Sequence, residues 1–293
     1  MRSIDWRTIL STSIGPLLWG STYLVTTQWL PPDRPFWAAL FRCLPAGILL
    51  LAFARVLPRR DEWTKLLILS ALHIGIFQAL LFIAAYRLPG GLAAVMGAVQ
   101  PMIVMLLGRA VDRLVPSRMA WCAAGVGVFG MALLLLGPES HWDVIGVAAA
   151  LGGAVCMGFG TFLTKRWKLS PPVLALTGWQ LLLGGLMLVP LAVWVDPALP
   201  SLSWTNIGGY VYLCLLGSVL AYSLWFRGVT RLPGAAVSAL ALLSPLAAAV
   251  LGWIVVGESM GVRELLGFAL VLGSVLAIQF LAPRADAQKA PVR

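Results

Sequence analysis

The sequence predicts an all-α membrane protein of ten transmembrane helices, arranged as two inverted five-helix repeats with both termini in the cytoplasm. Three observations lead there: an apolar composition, ten apolar runs of spanning length, and a motif that recurs at a fixed offset. Of 293 residues, 60% are hydrophobic and 11% charged, with a mean hydropathy of +0.92. Soluble domains carry roughly 25% charged residues. A chain this apolar has too little polar surface for water, so the bilayer is its solvent and its first partner.

A net charge of +10 raises the question of nucleic acid. A DNA-binding face needs Lys and Arg clustered on a solvated domain. Here they lie in short joins between apolar runs, and no nucleic-acid partner is expected. Cys43, Cys122, Cys156 and Cys214 all sit inside apolar runs, without CxxC or Cys/His spacing. No metal site and no cofactor is expected. Arg2 and Arg7 before the run from Ile9 to Leu30 look like a signal peptide, but the run is too long and lacks an Ala-x-Ala site. It reads as an uncleaved first span.

A hydrocarbon core about 30 Å thick needs around 20 apolar helical residues. Ten such runs occur, at about 9–29, 36–57, 64–86, 90–108, 117–137, 143–164, 172–195, 206–227, 234–256 and 262–282. Breakers and charges separate them, as in Pro31-Pro32-Asp33-Arg34-Pro35 and Pro58-Arg59-Arg60-Asp61-Glu62. With a cytoplasmic N-terminus, only Arg34, Arg87 and Arg263 fall on the far face and Arg42 within a span. The other seventeen of the 21 basic residues are cytoplasmic, as the excess of Lys and Arg on cytoplasmic loops requires. Trp6, Trp29, Trp194 and Trp204 fall near span ends, where interfacial anchors belong.

Arg87-Leu88-Pro89-Gly90 reappears as Arg231-Leu232-Pro233-Gly234, 144 residues later, and the same offset carries Pro101 onto Pro245 and Gly108 onto Gly252. Earlier in each half the offset is about 138, which sets Arg42 against Gln180 and Gly47 against Gly185. The expected organisation is a first repeat over 9–137, a second over 143–282, and a cytoplasmic tail over 283–293. Five spans per copy is an odd number, so the copies are inverted. Inverted repeats mark secondary transporters, in which one half rocks against the other around a central site.

Leu18-Trp19-Gly20-Ser21, Phe41-Arg42, the two Arg-Leu-Pro-Gly motifs with Gln100-Pro101 and Ser244-Pro245, Gly257-Glu258 and Leu265-Leu266-Gly267 carry a resemblance. Over about residues 9–282 the chain resembles the drug/metabolite transporter superfamily, specifically its EamA-type ten-span members. The resemblance implies a multi-pass protein of the bacterial inner membrane that exports amino acids or other small metabolites, as aromatic amino acid, threonine/homoserine and PecM-type metabolite exporters do. The first half departs from the pattern, with Asp112-Arg113 where a Gly-Glu is expected.

Polar groups within spans are costly and so are candidates for function. Arg42 is the one charged residue well inside a span. It meets a substrate carboxylate, pairs with a gate acid, or snorkels to the headgroups. His73, with Phe77 and Gln78 beside it, is either a packing residue or a ligand. Gln100 precedes Pro101 and Ser244 precedes Pro245. A proline inside a helix frees a carbonyl one turn back, and such breaks serve transporters as hinges and sites. Gln180 matches Arg42 in the second copy. Trp19, Tyr23, Phe159, Phe162, Trp179, Tyr212, Tyr222 and Trp225 are mid-span aromatics able to line a cavity for an aromatic or neutral amino acid.

The eleven acids map to joins, tails or span ends, so no buried carboxylate switch is expected. Gly125 to Gly130 matches GxGxxG inside a span and reads as helix packing. Gly257 to Gly261 matches GxSxG, but both histidines precede it, so it reads as a turn. An enzyme acting on lipid-linked substrates is the alternative class. It should gather Asp, Glu, His or Arg at one membrane face, and no such cluster is visible.

Overall fold

The computed structural model describes residues 5–87, 90–136, 143–257 and 261–281; the side chain of Tyr23 is outside that description. His141, Glu258, the Leu88-Pro89 pair, the centre of the GxSxG match and the 283–293 tail also lie outside it.

All regular structure among the described residues is helical. The helices are α1 (Trp6–Gly20), α2 (Thr22–Trp29), α3 (Pro35–Ala54), α4 (Trp63–Ser70, Ala71–Gly75 and Ile76–Arg87) and α5 (Gly90–Gly97 and Gln100–Asp112). They continue as α6 (Arg118–Leu135), α7 (Val144–Trp167), α8 (Val173–Trp194), α9 (Trp204–Cys214, Leu215–Leu220 and Ala221–Arg231), α10 (Gly234–Leu240, Leu243–Leu251 and Gly252–Val256) and α11 (Val262–Leu281). Nine helices among the described residues are long and apolar enough to cross a membrane.

The first predicted span is interrupted at Ser21, between α1 and α2. There the Ser21 hydroxyl donates to the Leu18 carbonyl at 2.7 Å, an atom the next turn of helix would use, and meets Tyr212 Oη at 2.6 Å. The neighbouring Gly20 is required by packing. A Cβ there would lie 2.5 Å from Ala247 Cβ and 2.6 Å from the Ser244 carbonyl oxygen.

Ends are set by local chemistry. Asp5, Ser117, Asp143 and Ser203 cap α1, α6, α7 and α9 by accepting from a backbone N–H in the first turn. Helix α3 begins at Pro35 and takes its cap from a distant residue: Asp196, past the end of α8, accepts from the N–H groups of Phe36 and Trp37 at 2.7 and 2.9 Å. Arg55, Arg113 and Lys168 stop α3, α5 and α7 in the left-handed region, with φ of 48°, 53° and 44°.

Breaks recur at matching places. Helix α5 turns at Ala98-Val99 and α10 at Ala241-Leu242, each just before its proline, because a proline supplies no N–H to the carbonyl one turn back. The π-helical stretches Ala71–Gly75 in α4 and Leu215–Leu220 in α9 start 144 residues apart.

Close packing follows the same bookkeeping. A Cβ on Gly47 would stand 2.4 Å from Leu182 N, and one on Gly185 would stand 3.0 Å from Leu44 Cα. Adding 138 to Gly47 gives Gly185, and subtracting 138 from Leu182 gives Leu44, so each contact is the exchange of the other. Likewise Gly20 abuts Ala247 and Gly158 abuts Ile103, while Gly127 abuts Ser274 and Gly130 abuts Val271. Helices α1 and α7 therefore each pack across the opposite segment, α1 on α9 and α10, α7 on α4 and α5. Such reciprocal contacts are what a two-fold relation between two copies generates. Gly127 and Gly130 of the GxGxxG match face α10 and α11, so that match is helix packing.

Candidate functional site

Helices α1, α3, α4, α8 and α9 bring a polar and aromatic group into the interior. Arg42, on α3, is 5% exposed, and its guanidinium donates to the Gly217 carbonyl of α9 at 3.4 Å. The indole N–H of Trp19 donates to the same oxygen at 2.9 Å. That carbonyl is available because it lies in the π-helical stretch, where the regular hydrogen-bond ladder is displaced.

The Arg42 guanidinium carbon stands 5.9 Å from the Tyr222 ring centre. Trp19 touches both Tyr222 and Trp225, with ring centres 4.8 and 5.3 Å apart. Gln78 donates through Nε2 to Tyr222 Oη at 3.1 Å. These two residues are 144 apart, so they are each other's counterparts in the repeat and meet where the copies join.

His73 is fully buried, and its Nδ1 lies 2.7 Å from Gln180 Oε1. An amide oxygen only accepts, so Nδ1 carries the proton. The ring stands edge-on to Phe226 at 4.9 Å, and Phe226 stacks on Tyr222 at 5.9 Å. Gly160 makes the room, since a Cβ there would come within 2.6 Å of His73 Nε2. The Arg42–Gly217 and Gln180–His73 pairs are equivalent in the repeat, Arg42 to Gln180 by 138 and His73 to Gly217 by 144. One position has become a cation on a carbonyl, the other a neutral amide on an imidazole.

Six buried polar atoms of this group lack a hydrogen-bond partner: Arg42 Nε, His73 Nε2, Gln78 Oε1, Gln180 Nε2, Ser218 Oγ and Trp225 Nε1. Buried polar groups are ordinarily satisfied; half of the twelve such atoms among the described residues fall in this one group, which fits a place that receives a polar solute.

Of the sequence candidates, Trp19, Arg42, His73, Gln78, Gln180, Tyr222 and Trp225 come together. The snorkelling alternative for Arg42 is overturned by its burial, and no acid among the described residues pairs with it. Phe77 turns towards Gly153 of α7. Gln100 reaches Ser238 at 3.5 Å and ties the two broken helices together beside Pro101. Ser244, with Pro245, lies at the α1 crossing, where its carbonyl faces Gly20.

Two candidates stand elsewhere. Phe159 is 39% exposed, because Gly158 and Gly160 take the inward arc of α7. Trp179 sits near the end of α3, donating to the Val56 carbonyl at 3.0 Å and packing on Trp63. Sequence reading missed Gly217, Phe226 and Gly160. The 144 offset from His73 pointed to Gly217, and one turn from Tyr222 pointed to Phe226; nothing local marked Gly160.

Among the described residues no group of His, Cys, Asp and Glu could hold a metal ion. The EamA-like transporter family matches twice, over residues 6–136 and 144–280. Protein PecM of Dickeya dadantii is 38% identical over 266 residues, covering 90% of this chain and 89% of that protein. YedA, an inner membrane transporter of Escherichia coli K12, is 26% identical over 269 residues, 89% of this chain and 87% of its own. One solved crystal structure superposes with a TM-score of 0.81 at 17% identity, over 94% of this chain and 97% of that one, and shares the fold. With both halves matched and the relatives aligned along most of their lengths, the chain is a multi-pass inner-membrane transporter rather than an enzyme, and it belongs to the EamA-like transporter family of the drug/metabolite transporter superfamily.

Proposed function

We propose that the chain exports small metabolites, above all amino acids with aromatic or other neutral side chains, by alternating access through a central site between two halves of opposite topology. The observation that carries this reading is the buried polar group itself. Arg42, His73 and Gln78 come from the first half, Gln180, Tyr222 and Trp225 from the second, and all but Trp19 at its edge are closed off.

Rocking of the halves 9–137 and 143–282 would open such a site first to one side and then to the other. The reciprocal glycine contacts support a two-fold relation, and the excess of basic residues on one set of joins supports cytoplasmic termini. Pro101 and Pro245 are the proposed hinges, each beside a break in its helix. Export is the direction that the family resemblance implies. Among the described residues the one buried acid is Glu62, at the start of α4, so the carrier works as a facilitator or exchanger without a carboxylate switch.

The test is flux of labelled tryptophan and threonine in proteoliposomes, with and without an imposed pH gradient. Tryptophan flux above empty liposomes, independent of the gradient and reduced at least tenfold in Arg42→Ala, is the expected result. No flux of either compound would withdraw the amino acid class, and a strict proton stoichiometry would withdraw the uncoupled mechanism.

A further inference from the structure

We infer that the Arg42 site recognises its ligand, an amino acid included, through the carboxylate alone: the carboxylate is what binds, and an α-ammonium group adds nothing. The inference rests on the central-site reading above and narrows its substrate class.

Arg42 is a buried cation, and among the described residues no acid pairs with it. Its one hydrogen bond, at 3.4 Å to the Gly217 carbonyl, is long, shared with Trp19, and made to a neutral acceptor. Its Nε has no partner. Among the described residues the one buried acid, Glu62, is already occupied. It accepts from Ser170 N at 2.7 Å, Ser170 Oγ at 2.6 Å and Arg59 N at 3.1 Å.

Removing an ion from water without a counter-charge is strongly unfavourable. A fold retains such an ion where something else supplies the counter-charge. The guanidinium fork matches a carboxylate in plane and spacing. A Cβ on Gly217 would sit 3.9 Å from Nε, an ordinary contact, so Gly217 itself does not press on that nitrogen. The Gly217 carbonyl thus stands where a ligand oxygen would, and a carboxylate displaces it.

The same charge balance disfavours a second cation. The free acceptors nearby, Gln78 Oε1 and His73 Nε2, are neutral, and a ligand ammonium beside Arg42 adds a like charge in a dry interior. Trp19, Tyr222 and Trp225 offer ring surface instead.

Three compounds sharing one ring and chain separate the alternatives: 3-phenylpropionate, phenylalanine and 2-phenylethylamine, an anion, a zwitterion and a cation. Affinity for each is measured by calorimetry on the purified full chain, as wild type, Arg42→Gln and Arg42→Lys. The expected result is that 3-phenylpropionate binds at least as tightly as phenylalanine and 2-phenylethylamine is not detected. Arg42→Gln weakens 3-phenylpropionate at least tenfold, and Arg42→Lys, which keeps the charge, loses less. Phenylalanine more than tenfold tighter than 3-phenylpropionate, 2-phenylethylamine as tight as either, or Arg42→Gln without effect would each overturn the inference. Binding of none of the three would also overturn it. Flux of tryptophan or threonine in the same preparation would then leave the transport reading standing, whereas absence of both would remove both.

Discussion

Single glycines decide how the interior is laid out. His73 keeps its place against Gln180 because position 160 carries no side chain. Gly160→Ala should push the imidazole off Gln180 and lower flux severalfold while the protein is still made. Gly273→Ala, where an added Cβ meets nothing within 4 Å, should leave flux and melting temperature unchanged and serves as the control. Trp19→Phe keeps ring area but removes the N–H donated to the Gly217 carbonyl. A single such bond contributes about 0.5–1.5 kcal/mol, so a small loss in thermal stability is expected, with Arg42 as the remaining donor. Arg42, His73 and Gln78 were legible as polar residues in apolar runs. Their partners were not, since Gly217 acts through its backbone and its residue type gives no hint of that.

At the scale of helices, the breaks and the close crossings do different work. Pro101 and Pro245 sit just after breaks in α5 and α10. The Ala241 carbonyl accepts from Ser244 N at 3.1 Å; Pro245→Ala offers it the donor of a regular α-helix instead and should straighten α10, raising the melting temperature or leaving it unchanged while flux falls about tenfold. The α3–α8 crossing is tight in the opposite sense. A Cβ at Gly47 would meet the backbone of Leu181 and Leu182 at 2.4 to 2.9 Å, and backbone cannot swing aside. Overpacking of this kind costs roughly 1–3 kcal/mol, so Gly47→Ala should lower thermal stability measurably. Period and composition foretold the helices. They did not foretell the π-helical stretches or the break at Ser21, which depend on what the neighbouring helices offer.

The whole molecule is a pairing of two copies, and its membrane topology is open to direct test. Helix α6 starts at Arg118 and α11 at Val262, 144 residues apart. Inverted halves require that Arg118→Cys and Val262→Cys, each in a background without the native cysteines, react with an impermeant maleimide from opposite sides. Labelling of both from one side would show that the halves run in parallel. The same pairing explains why the site has two unlike ends. Equivalent positions carry different residues, Arg42 against Gln180 and His73 against Gly217.

What the sequence determined by itself was whatever depends on local content. Apolar length demands helices across a bilayer, because backbone polar groups there can be satisfied within a helix. A repeated Arg-Leu-Pro-Gly with its distant proline announces duplication, and a charged residue in an apolar run announces a costly, purposeful placement. Tertiary structure alone decided which of those residues meet. Phe159 and Trp179 looked as suitable as Tyr222 and Trp225, yet helix rotation and depth put the first two outside the polar group. A span's composition is nearly uniform around its axis when lipid and protein interior are equally apolar. The face that turns inward is then set by the shapes of neighbouring helices, which the linear chain does not display.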